Sequence, residues 1–142
     1  LITIVLMGFA FGALILGFHE SLKSLERQND LLRATILCEE LMNEVRSKQY
    51  IQAHTNIGAD RVGYEFVDDY NGLTDAPPKT IEGVILSNYS DFTRWVFVAS
   101  VSNDFVSSAP ASNALFKRIT VVASNALVCI SNVSVVSRYD QE

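Results

Sequence analysis

Leu1 to Phe18 reads LITIVLMGFAFGALILGF, a stretch without a single charged side chain, and it leads directly into His19 to Lys48, HESLKSLERQNDLLRATILCEELMNEVRSK, which contains neither Pro nor Gly. The first stretch makes about 27 Å of helix against a hydrocarbon core of about 30 Å, so one membrane span would be a tight fit. The second is rich in Leu, Glu, Lys, Arg and Gln, all good helix formers. Together they predict one continuous helix of about 72 Å. At 100° per residue two apolar faces separate, with Phe18, Leu22, Leu25, Leu32 and Ile36 on one side. Leu31, Ala34, Cys38, Leu41, Met42 and Val45 lie nearly opposite, and they begin later along the chain. Two apolar stripes imply two partners, one of them the protein's own remaining chain.

Outward from the helix the sequence changes character. Residues 51–91 are punctuated by Gly58, Gly63, Asn71-Gly72 and Pro77-Pro78 and read as a connecting region. From residue 92 to 142 strand signals dominate: Phe92 to Val101, Leu115 to Ala123 and Leu127 to Val136 are rich in β-branched and aromatic residues. Ser124-Asn125-Ala126 suits a tight hairpin between the last two. A three-stranded antiparallel meander with one apolar face needs a cover, and the later helix stripe is the surface available. The expected fold is therefore α+β, a lollipop with a stick at 1–18, an amphipathic continuation at 19–50 and a small sheet head. The chain has 142 residues, 49% of them hydrophobic, which is enough for one core. Its net charge of −5 and lack of any basic run argue against a nucleic-acid partner.

This layout resembles the type IV pilin and type II secretion pseudopilin superfamily. Cys38 to Tyr50 (CEELMNEVRSKQY) is similar to the helix-end segment of minor pilins, and Phe66 to Leu73 (FVDDYNGL) to a segment of mannose-sensitive haemagglutinin (MSHA) pilus subunits. Phe92-Thr93-Arg94-Trp95-Val96 and Lys117-Arg118-Ile119-Thr120-Val121 match the same group in order and approximate spacing. The resemblance implies a pilin: a structural subunit held in the bacterial inner membrane, then moved by pilus assembly machinery into an extracellular or periplasmic helical filament of copies of itself or related pilins. Leu1, Ile4, Val5, Gly8, Phe11, Gly12, Ile15, Phe18, Leu22 and Leu25 would then pack between helices of the filament, and Gly8 and Gly12 form a GxxxG pattern that permits close approach. Leu31, Ala34, Cys38, Leu41, Met42 and Val45 would pack helix on head. Pilins begin with a methylated Phe and carry Glu as the fifth residue. Leu1 and Val5 stand at those places here, so a short stretch with that Phe and Glu is expected to precede Leu1.

Other residues carry competing readings. Cys38 and Cys129, the only cysteines, either form a disulfide joining helix to sheet or remain two buried thiols. Asp68, Asp69, Asn71 and Asp75 make an oxygen-rich loop whose spacing is not that of an EF-hand, so solvated turn residues are the expectation and calcium the lesser alternative. His19 and His54 have no ligand at metal-binding spacing, and no cofactor is expected. Asn88-Tyr89-Ser90 and Asn132-Val133-Ser134 match the glycosylation sequon, a pattern frequent by chance. Trp95, Phe97 and Phe105 read as core or subunit contacts. The sequence has no GxSxG, Walker loop, GxGxxG, CxxC or HExxH, so an enzyme is not expected. The rival to a filament subunit is a single-pass, membrane-anchored periplasmic adaptor or sensor that does not polymerise. It needs neither small residues in the apolar segment nor a second helix stripe.

Overall fold

The computed structural model describes residues 2–50, 61–110 and 114–138. The amino-terminal pattern becomes one helix, α1 (Ile2–Arg46), whose 45 residues span about 68 Å. It stops just short of the expected Lys48 because Ser47 turns the chain. The Ser47 hydroxyl donates to the Glu44 carbonyl at 2.6 Å and its N–H donates to the Asn43 carbonyl at 3.1 Å, using up carbonyls of the final turn.

The head is an antiparallel sheet in the order β1 (Thr74–Asp75), β2 (Thr93–Val101), β3 (Phe116–Ser124) and β4 (Cys129–Ser137). The three long strands fall close to where alternation placed them, and β1 is an addition. Gly72, at φ +83°, supplies the left-handed backbone that leads the chain into β1. Its N–H donates to the Val96 carbonyl at 3.0 Å. Between β3 and β4, the Asn125 N–H donates to the Val128 carbonyl, while the Asn125 side-chain oxygen accepts from the N–H groups of Leu127 and Val128. That double use of one Asn is the tight turn the sequence suggested.

α1 lies across β3 and β4. Ala34, Leu37, Cys38, Leu41, Met42 and Val45 meet Val96, Ile119, Val121, Ala123 and Val136 in one core, closed at the loop side by Val67, Tyr70 and Phe92. Two assignments in the stripe change. Leu31 is 37% exposed, because it sits in the first covered turn, where the end of the sheet covers the Asp30 and Ala34 side. Leu37, not assigned to the stripe, is fully buried. The α+β fold with a long helix and an antiparallel sheet stands.

Candidate functional site

Two features set this head and helix apart: a long apolar helix face that the head leaves bare, and a charged seam that fixes the head to the helix. On the bare face, Phe11, Ile15, Phe18, Leu22, Leu25, Leu32 and Ile36 are between 45% and 68% exposed. Leu14, Gly17, Phe18 and Ser21 line an open apolar groove there. A methyl group added at Gly12 or Gly17 would meet no heavy atom within 4 Å, so nothing in the described chain requires their small size. Of the remaining residues expected on this face, Leu1 lies outside the described residues, as do the side chains of Ile4, Val5 and Gly8. Among the described residues, no helix is long and apolar enough to cross a membrane.

The seam is built where α1 meets the loops. Glu44, near the end of α1, accepts from Arg61 Nε at 2.8 Å and from the Tyr70 hydroxyl at 2.7 Å. Arg61 Nη1 also donates to Asp75 Oδ2 at 2.7 Å, and Arg94 Nη2 donates to that same oxygen at 2.8 Å. Arg94 is fully buried, and its Nη2 reaches the Lys79 carbonyl as well. Glu40 Oε2 stands 3.9 Å from Arg94 Nη1. Two guanidiniums and two inner carboxylates thus balance charge inside the head, and the short β1 exists to deliver Asp75 between them.

Burial pushes the Glu44 carboxyl up, but hydrogen bonds from Arg61 and Tyr70 and the nearby guanidiniums outweigh it and hold the carboxyl below its usual range. Burial also raises the Tyr70 hydroxyl, and donation to Glu44 raises it further. A carboxylate with a depressed folded pKa stabilises the fold at pH values above its ordinary pKa, and that contribution disappears as pH falls through the folded value. Between about pH 6 and about pH 3 the denaturation midpoint should therefore fall, and Glu44→Gln should make that fall shallower. Parallel curves for the two proteins would remove Glu44 from the acid response.

A second clasp ties the other end of the covered stripe. Arg33 donates to Asp30 at 3.0 Å and to Asp91 at 3.1 Å, and the Asn125 amide donates to both aspartates. The guanidinium carbon of Arg33 lies 4.9 Å from the Phe92 ring centre and 5.4 Å from that of Tyr89, a cation over two aromatic faces. On the far side of the sheet's inner face, Lys117 donates to Asp68 at 2.7 Å and its ammonium sits 4.5 Å from the Tyr50 ring centre.

These contacts correct the oxygen-rich loop. Asp68, Asp69 and Asp75 do not converge, and they are not solvated turn residues either. Asp68 pairs with Lys117, Asp75 pairs with Arg61 and Arg94, and Asp69 Oδ2 accepts from the N–H groups of Glu65 and Phe66. Asn71 faces the sheet, accepting from the Val98 N–H. Among the described residues no group of three His, Cys, Asp or Glu side chains is placed to hold a metal ion. His19 is exposed on α1, and His54 lies outside the described residues.

The disulfide alternative is corrected as well. Cys38 and Cys129 are both free, the first buried and the second exposed. Strand parity is the reason. Cys38 sits under the inner face, with its sulfur 3.6 Å from the Ile130 carbonyl, whereas Cys129 alternates with Ile130 and so faces outward. Burial pushes the Cys38 thiol up, which keeps it protonated and unreactive.

Sequence reasoning placed Arg94 and Lys117 in strands but missed that they and Arg61 form ion pairs inside the head. A signal for two of them was present: Arg94 is in phase with Val96, and Lys117 with Ile119 and Val121, so alternation alone puts both on the apolar face. The chain matches no known protein family, no curated protein and no solved structure.

Proposed function

We propose that this chain is a structural subunit of a type IV pilin-like filament, either a pilus or a pseudopilus, and that it acts by polymerising rather than by catalysis. The observation that carries the reading is the division of α1. Ala34 to Val45 are spent on the chain's own sheet, while Phe11, Ile15, Phe18, Leu22 and Leu25 remain bare on the same helix. A soluble monomer seldom exposes so continuous an apolar strip, and its cover must be lipid or other apolar helices. Before assembly the apolar end of α1 would rest in the inner membrane, with its backbone groups bonded within the helix. On assembly lipid is exchanged for neighbouring copies, so packing and small residues such as Gly12 and Gly17 decide the fit. The sequence resemblance to MSHA-type minor pilins supports the same reading.

The test separates polymerising from anchoring. In cells making the chain, sheared surface or periplasmic filaments should contain it, as seen by gel and electron microscopy. Leu22→Asp and Leu25→Asp leave residues 1–18 and the core untouched, so the subunit should remain in the membrane fraction and vanish from filaments. A chain absent from sheared filaments in the unaltered strain would favour the membrane-anchored adaptor instead.

A further inference from the structure

The two edges of the sheet are treated differently. β1, at one edge, has two residues, buries Asp75 in ion pairs and is followed by Pro77 and Pro78, which have no N–H to offer a neighbouring strand. β4, at the other, runs for nine residues, CISNVSVVS, with no charge, no Pro and no Gly. Among the described residues no strand pairs with its outer side. Natural sheets usually blunt such an edge with charges, a bulge or a Pro.

The hydrogen-bond phase identifies which groups face outward. The Asn125 N–H donates to the Val128 carbonyl and the Arg138 N–H to the Leu115 carbonyl. With β3 and β4 in register from Phe116↔Ser137 to Ser124↔Cys129, alternation places the even-numbered residues of β4 in the bonds to β3. The N–H and C=O groups of Cys129, Ser131, Val133 and Val135 therefore point away from the sheet. Their side chains lie on the face opposite α1, where Val133 is 55% and Val135 37% exposed.

We propose that β4 is a self-pairing edge: two copies of this chain join their heads through antiparallel β4–β4 hydrogen bonds about a two-fold axis. The partner must present an extended, uncharged strand of about 30 Å, and the chain itself contains one. Antiparallel pairing on a two-fold is self-complementary, since each outward N–H finds an outward carbonyl of the other copy. The midpoint of β4 puts Val133 on the axis and Ser131 opposite Val135. Charge favours the same place, because molecules of net charge −5 approach at least cost along an uncharged strip. This contact is independent of the filament reading: a polar filament points all its subunits one way, so a two-fold head pair joins copies that belong to different filaments or to none.

The register gives a positional test in the full chain, kept in detergent micelles with Cys129→Ser removing the exposed native thiol. Val133→Cys brings two thiols opposite each other at a Cα separation of about 5.5 Å, within disulfide reach. Phe97→Cys is the control, because Phe97 is equally exposed at 55% and lies in the same cross-strand row through Thr120, but two strands in from the edge. Mild oxidation should give several-fold more reductant-sensitive dimer from Val133→Cys than from Phe97→Cys. In the unaltered chain, amide exchange at Ser131, Val133 and Val135 should slow as protein concentration rises. Equal cross-linking at both sites means stacking of sheet faces and overturns edge pairing. Concentration-independent protection without cross-linking means that another segment of the same chain covers the edge, and this also overturns it.

Discussion

Asp75→Ala should cost about 3–5 kcal/mol of stability, among the largest losses available from one side chain in the head. The carboxylate is shared by Arg61 and Arg94, and the three side chains are between 0% and 9% exposed. Removing it leaves Arg61 paired with Glu44 but strands the fully buried Arg94, whose remaining carboxylate neighbour is the half-exposed Glu40 at 3.9 Å. Arg94→Met in the same background should recover part of the loss, because it withdraws the stranded charge. Denaturant midpoints with an unchanged slope would measure both effects. A loss below about 1 kcal/mol for Asp75→Ala would mean that water reaches the site and that the shared carboxylate is not what holds the loop.

The second large contrast lies on one helix. Leu41→Ala should destabilise the head by about 2–5 kcal/mol, since Leu41 is fully buried against the sheet and a cavity would remain. Leu32→Ala, at a position 61% exposed on the opposite face, should stay within about 0.5 kcal/mol in the isolated chain. Melting of the two variants in detergent measures the difference directly. Equal losses would mean that α1 is covered on both sides in the isolated chain, and the filament proposal would lose the bare face it rests on.

How far the sequence alone reaches is visible in these same residues. The buried stripe was legible because Ala34, Cys38, Leu41, Met42 and Val45 recur at helical spacing, and helix length and strand positions followed from equally regular patterns. Leu37 escaped because a stripe drawn on one line is narrower than the groove a twisted sheet makes for a helix. β1 was illegible: two residues carry no period, and their position is set by Gly72 before them and by Arg94 across the ladder. The charged seam was illegible as a whole, since Glu44, Arg61, Asp75 and Arg94 come from four separate elements and nothing local predicts that they meet. Cys129 was ambiguous because apolar residues lie on both faces of β4, leaving its parity open until the turn at Asn125 fixed the register.

The arrangement of α1 on the sheet also sets an order of events in time. The helix stripe is synthesised first, but the strands that cover it, β3 and β4, come last, so Cys38 waits for backbone at Val121 and Ile130. The meander β2–β3–β4 closes through connections of 14 and 4 residues, whereas docking of α1 on β3 and β4 must close a much longer loop. Until the last strand is made, then, the growing chain carries two uncovered apolar faces instead of one, and only completion of β4 makes them different. A chain stopped before Cys129 would present its surroundings with a helix apolar on two faces at once, a state in which the covered and the bare face are not yet distinguished.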